Sequence, residues 1–131
     1  MKIKQEELIT NYINFALDFC AKCYSKYNDF YPFAFVIKED RVITIDPDNP
    51  NEIKNTTDLI ETLTQKGKEE LANNHIINFA LAYKESNLIN DMNYEALKIT
   101  IFNQNEILNF HYPYKQEAEF KYLLDLAFQS K

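Results

Sequence analysis

The stretch EALKITIFNQNEILNFHY, residues 95–112, decides the fold that this sequence predicts. From 96 to 102, Leu and Ile at odd positions alternate with Ala, Lys, Thr and Phe at even positions, which is the period-2 pattern of a β-strand. Gln104-Asn105 is suited to a tight turn, and Ile107–Tyr112 reads as a second strand. Because the connection is so short, the two strands are expected to pair antiparallel.

Outward from this hairpin, the same signals predict three more strands and three helices. Runs of β-branched and aromatic residues indicate strands, and apolar residues spaced three and four apart indicate helices. The predicted helices are Glu6–Tyr27, Thr57–Asn73 and a C-terminal helix from about Gln116 with Phe120, Leu123, Leu124 and Ala127 facing inward. The further strands are Tyr31–Lys38, Arg41–Ile45 and His75–Tyr83, and Ser86–Asn93 is predicted to be a polar loop.

These elements predict the α+β class, in the order α-β-β-α-β-β-β-α. Short connections within the first and last strand pairs favour antiparallel neighbours. We therefore expect a single five-stranded antiparallel sheet with helices packed on it. The sequence shows no internal repeat, linker or low-complexity tract, so residues 1–131 are expected to form a single domain.

Glycine is scarce in this chain: Gly67 is the only one in 131 residues. Nucleotide-binding loops and the nucleophile elbow of many hydrolases need glycine where the backbone turns sharply or approaches a ligand. None of these loops can be built from the sequence. Several common enzyme classes are thereby disfavoured, and a non-enzymatic role is the more expected one.

The charge of the chain is concentrated in one segment. The net charge is −6, and residues 39–61 contain seven acids and two bases. Arg41 is the only arginine, and arginine is the side chain best suited to phosphate, so nucleic-acid binding is not expected. The start MKIKQEELIT meets acids before any apolar run, and the longest apolar runs are five residues. We therefore expect a cytoplasmic protein with no membrane association.

The acidic segment 39–61 is the strongest functional signal in the sequence. It predicts either a solvated face or a docking surface for a basic protein, since complementary charge steers and orients association. Tyrosine is enriched at interface hot spots, so nearby tyrosines are candidate anchors. The predicted partner-binding residues are Glu39, Asp40, Asp46, Asp48 and Glu52, with Tyr31, Tyr112 and Tyr114.

Two resemblances bear on this interpretation. The element order resembles that of profilin-like and Roadblock-type small domains, which are mostly binding and scaffolding modules. The strings FYPFAFVI (30–37) and HYPY (111–114) resemble segments of small uncharacterised bacterial α+β proteins, some of which are immunity proteins of toxin systems. The resemblance implies a non-enzymatic protein-binding module, one possibility being an immunity protein that neutralises a basic toxin.

The alternative is a small-molecule-binding domain or an enzyme with an aromatic pocket near His111. Phe and Tyr together make up 15% of the chain, more than an ordinary core needs. A general base needs a partner, and Glu95 or Glu106 on the neighbouring hairpin could reach His111. The serines offer no nucleophile elbow; Ser130, for example, lies in the tail.

No metal or cofactor site is expected. Cys20 and Cys23 form a CxxC string, but both lie within a predicted helix on its apolar stripe, as buried reduced thiols do. No second CxxC completes a zinc site, and both histidines are distant in sequence. The stretch 46–51 resembles a calcium loop only superficially, because Pro50 takes a ligand position.

The first predicted helix has a wide apolar arc. Its main stripe runs from Ile9 to Cys23, and Phe15 and Phe19 widen it. If the C-terminal helix lies beside it, these rings are buried within one chain; otherwise a second copy is the commonest cover for such a patch. We expect the first arrangement, so a monomer is favoured over a homodimer.

Overall fold

An antiparallel, curled sheet of seven strands runs between two long helices. The structure is a computed structural model in which residues 2–116 and 118–131 are described, without the side chains of residues 2–4. The order across the sheet is β2-β1-β3-β4-β5-β6, with β7 also paired to β5. The helices are α1 (Lys2–Tyr27) and α2 (Thr56–Ala72), and short 3-10 helices span Pro50–Glu52 and Leu124–Leu126. The strands are β1 (Phe33–Lys38), β2 (Arg41–Ile45), β3 (Asn78–Ile89), β4 (Met92–Asn103), β5 (Ile107–Gln116), β6 (Phe120–Tyr122) and β7 (Phe128–Ser130).

Each helix covers one face of the sheet. Alternation along β1 sends Phe35 to the α1 face and Val36 to the α2 face. Beneath α1 the core includes Ile99 and Ile101 of β4, both fully buried. On the other face α2 packs mainly over β1, β2 and β3 and reaches β4 at Phe102, so the middle of β4 and the α2 side of β5 and β7 lie beyond its main contacts. The α+β class and the antiparallel sheet are confirmed.

Two hairpin turns are made without glycine. The β1–β2 turn at Glu39-Asp40 and the β3–β4 turn at Asn90-Asp91 have positive φ at both central residues. Two-residue turns of this kind match the twist of the strands but favour Asn, Asp and Gly. Acidic and amide side chains therefore take positions that glycine commonly fills elsewhere.

The prediction of a polar loop at Ser86–Asn93 is wrong. Apart from the turn residues Asn90 and Asp91, these residues belong to β3 and β4, which are each 12 residues long and pair from Asn78↔Asn103 to Ile89↔Met92. β1 reaches β3 only as far as Ala82, and β5 reaches β4 only from Glu95 onward. The end of the hairpin therefore projects beyond its neighbours as a two-stranded arm, and its residues need no buried apolar face.

The prediction of a C-terminal helix is also wrong. Residues 120–130 form β6, a 3-10 turn and β7, which line the outer edge of β5. Glu117, within the predicted helix, lies outside the described residues. The predicted count of five strands and the predicted element order are therefore wrong for the C-terminal segment. Its backbone groups form hydrogen bonds with the open edge of β5 rather than within a helix.

The cover that was expected from a C-terminal helix comes from β6 instead. Phe120 stacks on Tyr24 of α1 with 4.4 Å between ring centroids, and Tyr122 donates a hydrogen bond of 2.6 Å to the Leu17 carbonyl. Phe19 lies 4.7 Å from Phe33 and remains 39% exposed. The described part of the chain contains no helix that is both long and apolar enough to cross a membrane.

Candidate functional site

The acidic segment 39–61 is divided by the fold into two places. Glu39 and Asp40 form the exposed β1–β2 turn. Asp46 and Asp48 follow β2 at its other end, about 16 Å away for a five-residue strand. The five predicted acidic residues therefore do not form one patch, and the turn is separate from the rest.

Acids gather in a groove between the loop after β2 and α2. This acidic groove has a volume of about 410 Å³. A cleft lined by one sign of charge concentrates the electrostatic potential and attracts oppositely charged groups. Its charged lining consists of Asp48, Glu52, Asp58, Glu61 and Glu69, with Lys66 as the single base.

Lys66 is held by the loop rather than free within the groove. Its Nζ donates to Asp48 Oδ1 at 2.7 Å and to the Asp46 carbonyl at 2.6 Å. These bonds fix the loop against α2 and neutralise only one carboxylate. Glu52 and Glu61 remain exposed. Glu69, which lies beyond the acidic segment, is added to the groove by the helical repeat of α2 and was missed by the sequence analysis.

The three predicted tyrosine anchors are in different environments. Tyr31 is 76% exposed and precedes β1, at the end of the hairpin where the groove lies. Tyr112 is half-buried against the α1 core, and burial raises its pKa. Tyr114 is buried and shares a 2.7 Å hydrogen bond with Tyr24, and burial likewise raises its pKa. Of the three, only Tyr31 presents an exposed ring, at the same end of the β1–β2 hairpin as the groove.

β2 is an edge strand beside this groove. It pairs with β1 on one side and with no other described strand. The two-residue turn makes Lys38↔Arg41 the first hydrogen-bonded pair, so the backbone groups of Val42 and Thr44 point outward. Val42 and Ile43 are also substantially exposed for apolar side chains. An open edge of this kind can accept an extended segment of another chain.

A second polar site lies at His111 on the sheet face that α2 leaves uncovered. The imidazole contacts Glu85 through Nδ1, and its Nε2 lies 2.5 Å from Ser130 Oγ. Asn87 Nδ2 donates to the same Glu85 oxygen at 3.1 Å, which orients the carboxylate. Phe128 stacks on the imidazole with 4.4 Å between ring centroids. We call Glu85, His111 and Ser130 the His111 cluster.

The expected partners of His111 were wrong. Glu95 pairs with Tyr114 and lies on the α1 face, opposite the face of His111. Glu106 lies before β5 and accepts a hydrogen bond from Gln5 at 2.9 Å. Glu85 is the partner instead. The β3–β4 and β4–β5 registers place the Glu85 and His111 side chains on the same face of the sheet, on either side of β4.

The surroundings of the His111 cluster differ from the predicted aromatic pocket. Five clefts of about 410 to 610 Å³ are lined by described residues, and His111 lies in none of them. His111 itself is 6% exposed, while Ser130 is half-buried and Phe128 is 41% exposed. The cluster is therefore a partly buried site on a sheet face, outside these five clefts.

The CxxC cysteines are free thiols on the side of α1 that packs on the sheet. Cys20 is buried and Cys23 is half-buried. Burial raises the pKa of Cys20 to about 12, and burial also raises the pKa of Cys23. Reactive thiols need the opposite shift. Within the described part of the chain, no three His, Cys, Asp or Glu side chains are grouped to hold a metal ion.

Comparisons with protein-family models, with curated proteins and with solved structures find no significant match.

Proposed function

We propose that this protein is a protein-binding module that docks a basic segment of another protein in its acidic groove. The observation that supports this most directly is the convergence of five carboxylates around one groove, with a single lysine among them. Lys66 is already engaged by Asp48, so the groove keeps an excess of negative charge. A partner that offers lysine or arginine side chains would complement it.

Two neighbouring features favour a protein partner over a small cation. Tyr31 offers an exposed aromatic ring at the same end of the β1–β2 hairpin, and such rings commonly anchor interfaces. The open edge of β2 offers backbone donors and acceptors next to the groove. A basic extended segment could contact the groove, the ring and the strand edge together.

A basic toxin is the partner class that the sequence resemblance names. In that case the chain would act as an immunity protein and occlude the positive surface of the toxin. We also propose that the protein is cytoplasmic and monomeric. The monomer is favoured because Phe15 and Phe19 pack on Phe35 and Phe33 of their own chain. Light scattering on the purified protein and fractionation of host cells would test these two points.

Charge reversal tests the docking proposal. Glu52→Lys combined with Glu61→Lys inverts two exposed groove positions. A matched control, Glu6→Lys with Glu7→Lys, makes the same change at exposed positions of α1. Captures from lysate of the native host would be compared by mass spectrometry.

We expect the groove variant to lose a basic partner that the wild type and the control both retain. A partner set that is the same for all three proteins would contradict the proposal. Circular dichroism would establish that both variants keep the wild-type fold.

The alternative function, small-molecule binding or catalysis near His111, rests on a different observation. Both ring nitrogens of His111 are occupied, one by a carboxylate and one by a hydroxyl. This arrangement is independent of the acidic groove.

A further inference from the structure

We propose that Ser130, His111 and Glu85 form an acyl-transfer site that hydrolyses small acyl esters. The geometry has the two contacts that activate a serine: a hydrogen bond from the nucleophile to a base, and one from the base to an orienting group. This site is separate from the acidic groove, so its test is independent of the docking proposal.

The hydrogen bonds define which nitrogen acts as the base. The Glu85 carboxylate only accepts hydrogen bonds, so Nδ1 of His111 carries the hydrogen in that contact. In the neutral imidazole, Nε2 then has a free lone pair, and it faces Ser130 Oγ at 2.5 Å. Glu85 is held in turn by Asn87 and is a positioning residue.

Asn109 is the candidate donor for the developing negative charge. Asn109 is directly opposite Ser130 in the β5–β7 register, which places their Cβ atoms about 5 Å apart on one face. Thr100 Oγ1 donates to Asn109 Oδ1 at 2.9 Å, so the amide group of Asn109 is turned with its NH₂ away from that contact. A side-chain amide at this place could stabilise the oxyanion.

The reaction balances with water as the only co-reactant. Ser130 Oγ gives its proton to His111 Nε2 and bonds to the carbonyl carbon of the ester. The bond to the leaving alcohol breaks, and that alcohol takes the proton from Nε2. Water then gives a proton to Nε2 while its oxygen bonds to the acyl carbon. The bond between that carbon and Ser130 Oγ breaks, Oγ takes the proton back from Nε2, and the carboxylic acid is released. The exposed Phe128 ring provides apolar contact for the acyl group.

The opposing interpretation is that these hydrogen bonds only hold β7 against β5. Diisopropyl fluorophosphate separates the two, because it modifies activated serines: Oγ bonds to phosphorus and fluoride leaves. Ser25 and Ser86 are exposed serines of the same folded chain and serve as internal controls. Peptide mass spectrometry would measure the rate of modification at each serine.

We expect Ser130 to react about 100-fold faster than Ser25 or Ser86, the lower range of what a positioned base contributes. Modification of Ser130 at the rate of the two controls would overturn the proposal, and this comparison needs only the wild-type protein.

Variants of the cluster test the individual roles. His111→Gln should bring Ser130 to the control rate. Glu85→Gln retains a hydrogen-bonding group at Nδ1 but removes its charge, and should slow modification of Ser130 to a rate between those of the wild type and His111→Gln. Amide exchange of Phe128–Ser130 should stay at the wild-type rate in Glu85→Gln. If modification of Ser130 slows and the amides of β7 also exchange faster than in the wild type, Glu85 acts only by holding β7 in place. That result would overturn its role in positioning His111.

Discussion

At the scale of single residues, Gly67 shows why this chain keeps one glycine. It is buried in α2, and its backbone lies against the ring of Phe79 on the sheet. A Cβ at this position would overlap the ring atoms of Phe79. The glycine is therefore required by the close approach of α2 to β3 rather than by a turn, and the positive-φ turns are left to Asn, Asp and Glu.

We predict that Gly67→Ala destabilises the protein, although alanine is the better helix former. Overpacking costs about 1 to 3 kcal/mol, and the gain in helix propensity is about 1 kcal/mol. Urea unfolding followed by circular dichroism would measure the net loss. In a Phe79→Leu background the ring is absent, so the same substitution should cost much less. If Gly67→Ala alone raised the free energy of unfolding above that of the wild type, this explanation would be contradicted.

Some residue-level assignments were accessible from sequence and others were not. The apolar stripe of α1 places Cys20 in the core, as its complete burial confirms. The pairing of Glu85 with His111 was not accessible, because 26 residues separate them and the contact depends on two strand registers. Composition near His111 indicated only Glu95 and Glu106, which are closer in sequence but lie elsewhere.

At the scale of elements, β1, β2, β4, β5 and the inner part of β3 were predicted, while the outer part of the β3–β4 hairpin and the short edge strands β6 and β7 were missed. The β4 strand alternates clearly because its odd positions pack beneath α1, whereas β1 and β2 are recognised by their β-branched and aromatic residues. The β3–β4 arm has no neighbour on either side, so its sequence is polar and was read as a loop. Phe120, Leu123, Leu124 and Ala127 fit a helical spacing, but pairing with β5 prevails over that local pattern.

The arm also gives a prediction about its turn. Asp91 has a φ of 64°, where a Cβ costs about 1 kcal/mol. Asp91→Gly creates an Asn-Gly pair, the favoured sequence for this turn. Amide exchange within the arm should slow about fivefold, the factor that corresponds to 1 kcal/mol. Asn93→Gly, two residues further along in β4, is the control and should speed exchange. Faster exchange in both variants would contradict the strain assigned to Asp91.

At the scale of the whole molecule, the curled sheet places two polar sites apart. α2 closes one side of the acidic groove and covers β1, β2 and β3. The same placement leaves the middle of β4 and the α2 side of β5 and β7 beyond its main contacts, and there the His111 cluster lies. Negative charge is thus concentrated near the β2 edge of the sheet. The His111 cluster lies near the opposite edge, on the same face of the sheet.

The central claim is that the acidic groove binds a basic segment, and one titration tests it most directly. A decapeptide of alternating lysine and serine would be added to isotope-labelled protein at low salt, and amide chemical shifts would be followed by NMR. We predict saturable shifts concentrated at Asp48, Glu52 and Glu61. Shifts of similar size at Glu39-Asp40 or at Glu6-Glu7, or no saturable shift in the groove, would contradict the claim.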